Sequence, residues 1–177
     1  MNDISFITDY AIYEKVIRDA IPRAIRFLWL ATADLKDLYI HEGKRMVPFL
    51  KCLSDLITAG VAVRLLHAKE PGPAFRKDFD RYPALVDGLE RILCPRVHFK
   101  TVVVDGRFAY SGSANLTGAG MGAKNATRRN FESGFITTDS ALVAQIMDQF
   151  DRVWMGQYCE ACGRKQYCAD FADLINP

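Results

Sequence analysis

Residues 97–117, VHFKTVVVDGRFAYSGSANLT, decide how this chain is read. Successive strand residues point to opposite sides, so residues 97–104 would turn Val97, Phe99 and Val103 one way and His98 and Lys100 the other. Asp105-Gly106 is a hairpin signal, because a two-residue type I′ turn needs positive φ at both central positions and this pair tolerates it. Such a turn predicts the pairs Val104–Arg107, Val102–Ala109, Lys100–Ser111 and His98–Ser113. Opposed residues have Cβ atoms about 4.5–5.5 Å apart. The turn would therefore gather an imidazole, an ammonium and two hydroxyls, with Asn115 continuing the same face.

Composition bounds the remainder. The chain has 177 residues, half of them hydrophobic and a quarter charged, enough to bury a core without disulfide or metal staples. No run approaches the ~20 apolar residues of a membrane span. The first residues carry acids and lack a basic start followed by an apolar stretch, so no secretion signal and a cytoplasmic location are expected. A formal charge of +2 leaves a polyanionic partner open, since clustering matters more than the sum.

Apolar spacing predicts a helix over residues 9–21, a buried strand over 24–33, a helix over 44–59 ended by Gly60, and a strand over 61–66. Residues 74–93 read as helical in pieces around Pro83. Residues 117–130, rich in Gly and Ala, read as a mobile basic loop. A strand over 131–137 and a helix over 140–154, capped by Asp139 or Ser140, follow. Alternating helices and strands indicate an α/β layering with helices against a central sheet. Residues 1–155 are expected to form one domain, and residues 156–177 a cysteine-rich tail.

His98-Phe99-Lys100, four further residues, Asp105, and then Gly112-Ser113-Ala114-Asn115 resemble the HxKxxxxD and GSxN motifs of the phospholipase D superfamily. The order of elements is similar to that of its single-motif members, the small bacterial endonucleases. The resemblance implies a mixed central sheet with helices on both faces, and a homodimer in which two subunits build one site. It also implies that an acid on the strand after GSxN, here Glu132, holds the nucleophilic histidine.

The residue types suit phosphodiester chemistry. A neutral His98 attacking phosphorus would form a phosphohistidine and split one difficult step into two. Lys100, Ser113 and Asn115 would stabilise charge on the non-bridging oxygens. Leaving-group protonation occurs on the far side of phosphorus, so a second histidine is wanted. A C2 dimer would supply it as a second His98. A Glu132 carboxylate on the far ring nitrogen would fix the tautomer. Asp105 completes the motif, but aspartate before glycine also sets the turn, and a conformational role is the expectation. Lys124, Arg128 and Arg129 would lie at the site rim, placed for phosphate contacts.

Cys159, Cys162 and Cys168 offer three thiolates for a structural zinc or an iron–sulfur cluster. The fourth ligand is left among Cys94, Cys52, His41 and His67, and the chemistry itself calls for no metal. The expected activity is a metal-independent phosphodiesterase acting on nucleic acid. A phospholipase D-type phosphatidyl hydrolase or transferase is the alternative, followed by a noncatalytic nucleic-acid-binding module.

Overall fold

A computed structural model describes residues 3–36 and 38–169. Strand β1 (Ile4–Thr8) leads into helix α1, which is α-helical over Tyr10–Ile12, π-helical over Tyr13–Ala20 and 3₁₀ over Ile21–Arg23. Ile12, Val16, Ile17 and Ile21 are buried along it, and the Ile21 N–H closes a five-residue bond onto Val16. The apolar spacing of four to five residues is thus matched by the wider π turn. Strand β2 (Phe27–Thr32) follows, then a hairpin of β3 (Tyr39–Glu42) and β4 (Arg45–Pro48), helix α2 (Phe49–Thr58) and strand β5 (Ala62–His67). Helices α3 (Pro73–Phe79) and α4 (Pro83–Gly88) precede β6 (Leu89–Leu93). The chain continues through β7 (Lys100–Val104), β8 (Phe108–Gly112), β9 (Ser133–Thr137) and α5 (Ser140–Trp154).

Seven strands form one mixed sheet in the order β1-β9-β8-β7-β2-β5-β6. The β2-β5-β6 section is parallel, and the other neighbours are antiparallel. One face carries a core of Ile12, Val16, Leu28, Leu53, Leu65, Leu85, Val102 and Tyr110, covered by α1 to α4. On the other, Trp29, Leu66, Val103 and Ala109 meet Val143, Ile146 and Phe150 of α5, with Trp29 and Phe150 stacked at 4.9 Å. Asp139 caps α5 by accepting from the Leu142 N–H at 2.8 Å. The expected α/β fold with helices on both faces is what is found. Among the described residues no helix is long and apolar enough to cross a membrane.

Three local expectations are corrected. Residues 44–48 are not helical: Arg45–Pro48 form β4, and α2 begins only after Pro48, whose ring and missing N–H are incompatible with a helix interior. Residues 89–93 are a strand, because their apolar positions are needed beside parallel β5. The hairpin register is one residue out. Asp105 and Gly106 do take φ of 54° and 68°, and the Arg107 N–H bonds to Val104 O at 3.0 Å. The ladder, however, starts at Val104–Phe108, with Arg107 as an extra residue, so Lys100 opposes Gly112 and Ser111 opposes Thr101. A one-residue slip moves side chains to the other face, and Ser111 drops out of the candidate site.

Asp105 does more than turn the chain. Its carboxylate accepts from the backbone N–H groups of Ile25, Arg26 and Phe27 at 3.0, 2.7 and 2.9 Å, fastening the hairpin tip to the start of β2. Burial pushes its carboxyl up, but the three N–H bonds outweigh this and hold it below the usual range. Asp105→Ala should lower the unfolding free energy by about 2–3 kcal/mol, read from the denaturant midpoint. A depressed carboxylate stabilises above its unfolded pKa and loses that contribution as pH falls through the folded value. The gap between wild type and variant should therefore hold steady near neutrality and narrow only below about pH 4.

Candidate active site

Lys100 pairs with Gly112, and Gly112 with Gly134, so one row crosses β7, β8 and β9 at the same end of the sheet. His98 lies two residues before this row, Ser113 and Asn115 just past it, and Glu132 two residues before Gly134. This is also the C-terminal end of parallel strands β2 and β5, the edge at which open α/β sheets place ligands.

Lys100 is only 7% exposed, its stem lying on the core face with Val102. Its Nζ reaches back to the carbonyl oxygen of His98 at 2.5 Å and to Nδ1 at 3.3 Å. Burial lowers the Lys100 pKa, and the charge of Glu132 works against that. His98 itself is exposed, so a buried cation sits beneath an accessible imidazole.

Glu132 takes a different partner from the one expected. One carboxylate oxygen accepts from the Ser113 hydroxyl and the other from Asn130 Nδ2 at 3.1 Å. Its backbone N–H donates to Asp9 Oδ1 at 2.9 Å, and its carbonyl accepts from the Asp9 N–H at 2.9 Å. The carboxylate is thus aimed at Ser113 and felt by Lys100, with no direct bond to His98 among the described residues. Asn115 is also used differently. Its Oδ1 accepts from the N–H groups of Ala33 and Asp34 at 3.2 and 3.0 Å and from the Thr32 hydroxyl at 3.3 Å, closing the end of β2. Its amide NH₂ is the part left for a ligand.

The basic segment carries backbone hydrogen bonds of its own. Its backbone bonds run from Met121 to Thr117, Lys124 to Gly118 and Asn130 to Ala119, and Met121 is buried. Arg129 lies over the Tyr10 ring at 5.0 Å, while Lys124 and Arg128 are exposed. Among the cysteines, Cys159 and Cys162 line one groove with Cys94, and the Cys168 thiol donates to Leu93 O at 3.4 Å.

Sequence reasoning missed Asp9, Thr32 and Asn130, which position the candidate residues. None carries a motif. Asp9 and Thr32 meet their partners only in the folded chain, whereas Asn130 reaches Glu132 from two residues away. An apolar cavity of ≈ 20 Å³ lined by Leu30, Leu53, Leu65 and Phe75 lies in the core and is no substrate site.

Residues 17–154 match the family described as cardiolipin synthase, phospholipase D-like domain. The chain belongs to this family. The phospholipase D-like chain is 27% identical over 101 residues to a mitochondrial cardiolipin hydrolase from Chlamydomonas reinhardtii, a match spanning 56% of the chain and 43% of that relative's length. Among solved structures it superimposes on Nuc, a phospholipase D family member from Salmonella typhimurium, with a TM-score of 0.61 at 16% identity, covering 85% of this chain and 94% of that one. NucT from Helicobacter pylori gives 0.61 at 13% identity, over 84% and 93%. At these identities the likeness is one of fold.

The glycine row explains how Ser113 and Glu132 are brought together. A Cβ on Gly134 would meet Ser111 O and Tyr110 Cε2 at 2.7 Å and Gly112 Cα at 2.9 Å. Gly134→Ala should cost roughly 1–3 kcal/mol of stability and separate Ser113 from Glu132, lowering turnover beyond what the stability loss explains. Gly163→Ala, where a Cβ meets nothing within 4 Å, should be silent in both denaturation and activity assays.

Proposed function

We propose that this phospholipase D-like protein is a metal-independent phosphodiesterase that cleaves nucleic acid through a phosphohistidine, in a site completed by a second copy of the chain. The observation that carries it is the exposed His98 seated on the buried Lys100 cation, beside Ser113 and Glu132.

A charged lysine has donors only, so its contact makes Nδ1 an acceptor and puts the ring proton on Nε2. Attack through Nε2 requires the opposite tautomer. An arriving phosphate offers better acceptors for Lys100 and for the Ser113 hydroxyl, releasing both Nδ1 and Glu132. Nδ1 then carries the proton, Glu132 receives its hydrogen bond, and the Nε2 lone pair attacks phosphorus. The P–O bond to the leaving alkoxide breaks as the P–N bond forms, and an imidazolium on the far side supplies the alkoxide's proton. Water, deprotonated by that same imidazole, then displaces His98 and breaks the P–N bond.

The far-side acid is the reason for a second copy. The chain has three histidines. His67 is fully buried with its Nδ1 on Lys69 O at 2.8 Å, and His41 belongs to the separate β3–β4 hairpin. A two-fold partner would present its own His98.

Phosphodiester cleavage should persist in excess chelator, and His98→Ala should lose at least about a thousandfold in turnover. A variant that keeps its activity, a requirement for added magnesium, or a fully active monomer by sedimentation would each contradict the mechanism. Phosphatidyl hydrolysis is the second reading, favoured by the names of the family and of the algal relative.

Phe131 discriminates between them. It precedes Glu132 and is 97% exposed, and it follows exposed Lys124 and Arg128 by seven and three residues, as would suit a base-stacking side chain in a basic segment. Phe131→Ala should weaken single-stranded nucleic-acid binding roughly five- to hundredfold with turnover at saturation unchanged. Loss confined to hydrolysis of cardiolipin vesicles would favour the lipid instead.

A further inference from the structure

The C-terminal segment folds back onto the strand that delivers His98. Cys159 and Cys162 line a groove with Cys94, Arg96, Val97 and Phe99, and Cys94 and Cys162 are near enough to Cys159 for their charges to act on it. Cys168 comes close to the same stretch, its Sγ on the carbonyl of Leu93, the residue before Cys94. Arg164 donates to Pro95 O at 3.2 Å. Three sulfurs thus line one groove, and a fourth bonds the backbone one residue before it.

The local backbone suits thiolates. Cys159 and Cys162 are joined by a turn in which the Cys162 N–H bonds to Cys159 O at 3.1 Å, and the Arg164 N–H points at Cys162 Sγ at 3.4 Å. Arg96 and Lys165 place positive charge beside both thiols, although burial and the neighbouring Cys94 and Cys162 outweigh it at Cys159. No disulfide links any of the five cysteines. The other candidate ligands are elsewhere: Cys52 packs with the core on the opposite face of the sheet, His41 is on the β3–β4 hairpin, and buried His67 faces Lys69 O.

We propose that Cys94, Cys159, Cys162 and Cys168 bind one zinc ion, a tetrathiolate clip that fastens the C-terminal segment to the start of the His98 strand. A Cys-x2-Cys turn with two distant cysteines is the ligand pattern of closed structural zinc sites. The redox-inert ion suits a protein whose chemistry transfers no electrons. Among the described residues no three donor side chains already stand as a ready metal-binding group, so binding turns the thiols inward about χ1, between staggered wells. Each bound thiol gives up its proton to solvent. The clip stands whatever substrate His98 acts on, and its test does not read catalysis.

The test is metal analysis of the full chain, purified without added zinc, with thiol alkylation followed by mass spectrometry. Wild type should carry about one zinc per chain, and cobalt substitution should give the intense near-ultraviolet charge-transfer bands of a tetrathiolate. Cys94→Ser should lose most of the metal and Cys52→Ser none. Should Cys94→Ser fail to fold, alkylation of the wild type decides. The four thiols should be protected as a group and become reactive together, at least about tenfold faster, when the zinc is stripped. Zinc well below stoichiometry, iron with visible cluster absorption, a Cys159–Cys162 disulfide, or full metal content in folded Cys94→Ser would overturn the proposal.

Discussion

Asp105 accepts three backbone N–H bonds from residues 25–27, and Asn115 accepts two from residues 33 and 34. Between these clamps lies β2, the strand against which β7 is laid. The two polar residues are ten positions apart in sequence, at opposite ends of the β8 side of the hairpin, and each closes one end of the same neighbour. Hydrogen bonds to a charged acceptor are the stronger kind, and Asp105 spends its charge where the unpaired N–H groups of an entering strand would otherwise need water. With β2 fixed at both ends, the position of Lys100 on β7 is fixed too, and His98 follows. The motif therefore divides by place: Asp105 and one end of Asn115 hold the frame, and the exposed His98 and the Lys100 amine beneath it are left at the candidate site.

That division explains which parts of the molecule could be read beforehand. Period-two alternation and an Asp-Gly turn were enough to place His98 and Lys100 on one face, because both signals are local. The register was not local. Its bulge at Arg107 depends on how Val104 and Phe108 pack against the core, and the turn type alone does not record that. The β3–β4 hairpin was masked because Met46 and Val47 fall in phase with the helix that follows, although Pro48 marked the break. Glu132 was legible as a candidate residue but its contact with Ser113 was not, since the two approach only once β8 and β9 pair through glycines. Cys94 was one of four candidate ligands in the sequence. Only the fold, by laying Leu93 under Cys168 and Cys159 beside Cys94, separates it from the rest.

On the mechanism we propose, the charges at the site await an anion brought by the substrate. Burial lowers the pKa of Lys100, and the field of Glu132, a carboxylate engaged elsewhere, opposes this only in part. Glu132 is occupied by Ser113 and Asn130, and Lys100 by the carbonyl and ring of the residue it serves. Each group has a bond to exchange when phosphate arrives. Such an exchange costs little, because a charged ligand replaces intramolecular bonds of similar number with stronger charge-assisted ones. A single imidazole cannot stand on both sides of one phosphorus, however. With His67 buried and His41 on a separate hairpin, the mechanism we propose takes its second histidine from another molecule, and a two-fold related copy of the same exposed edge is the simplest surface that would supply one.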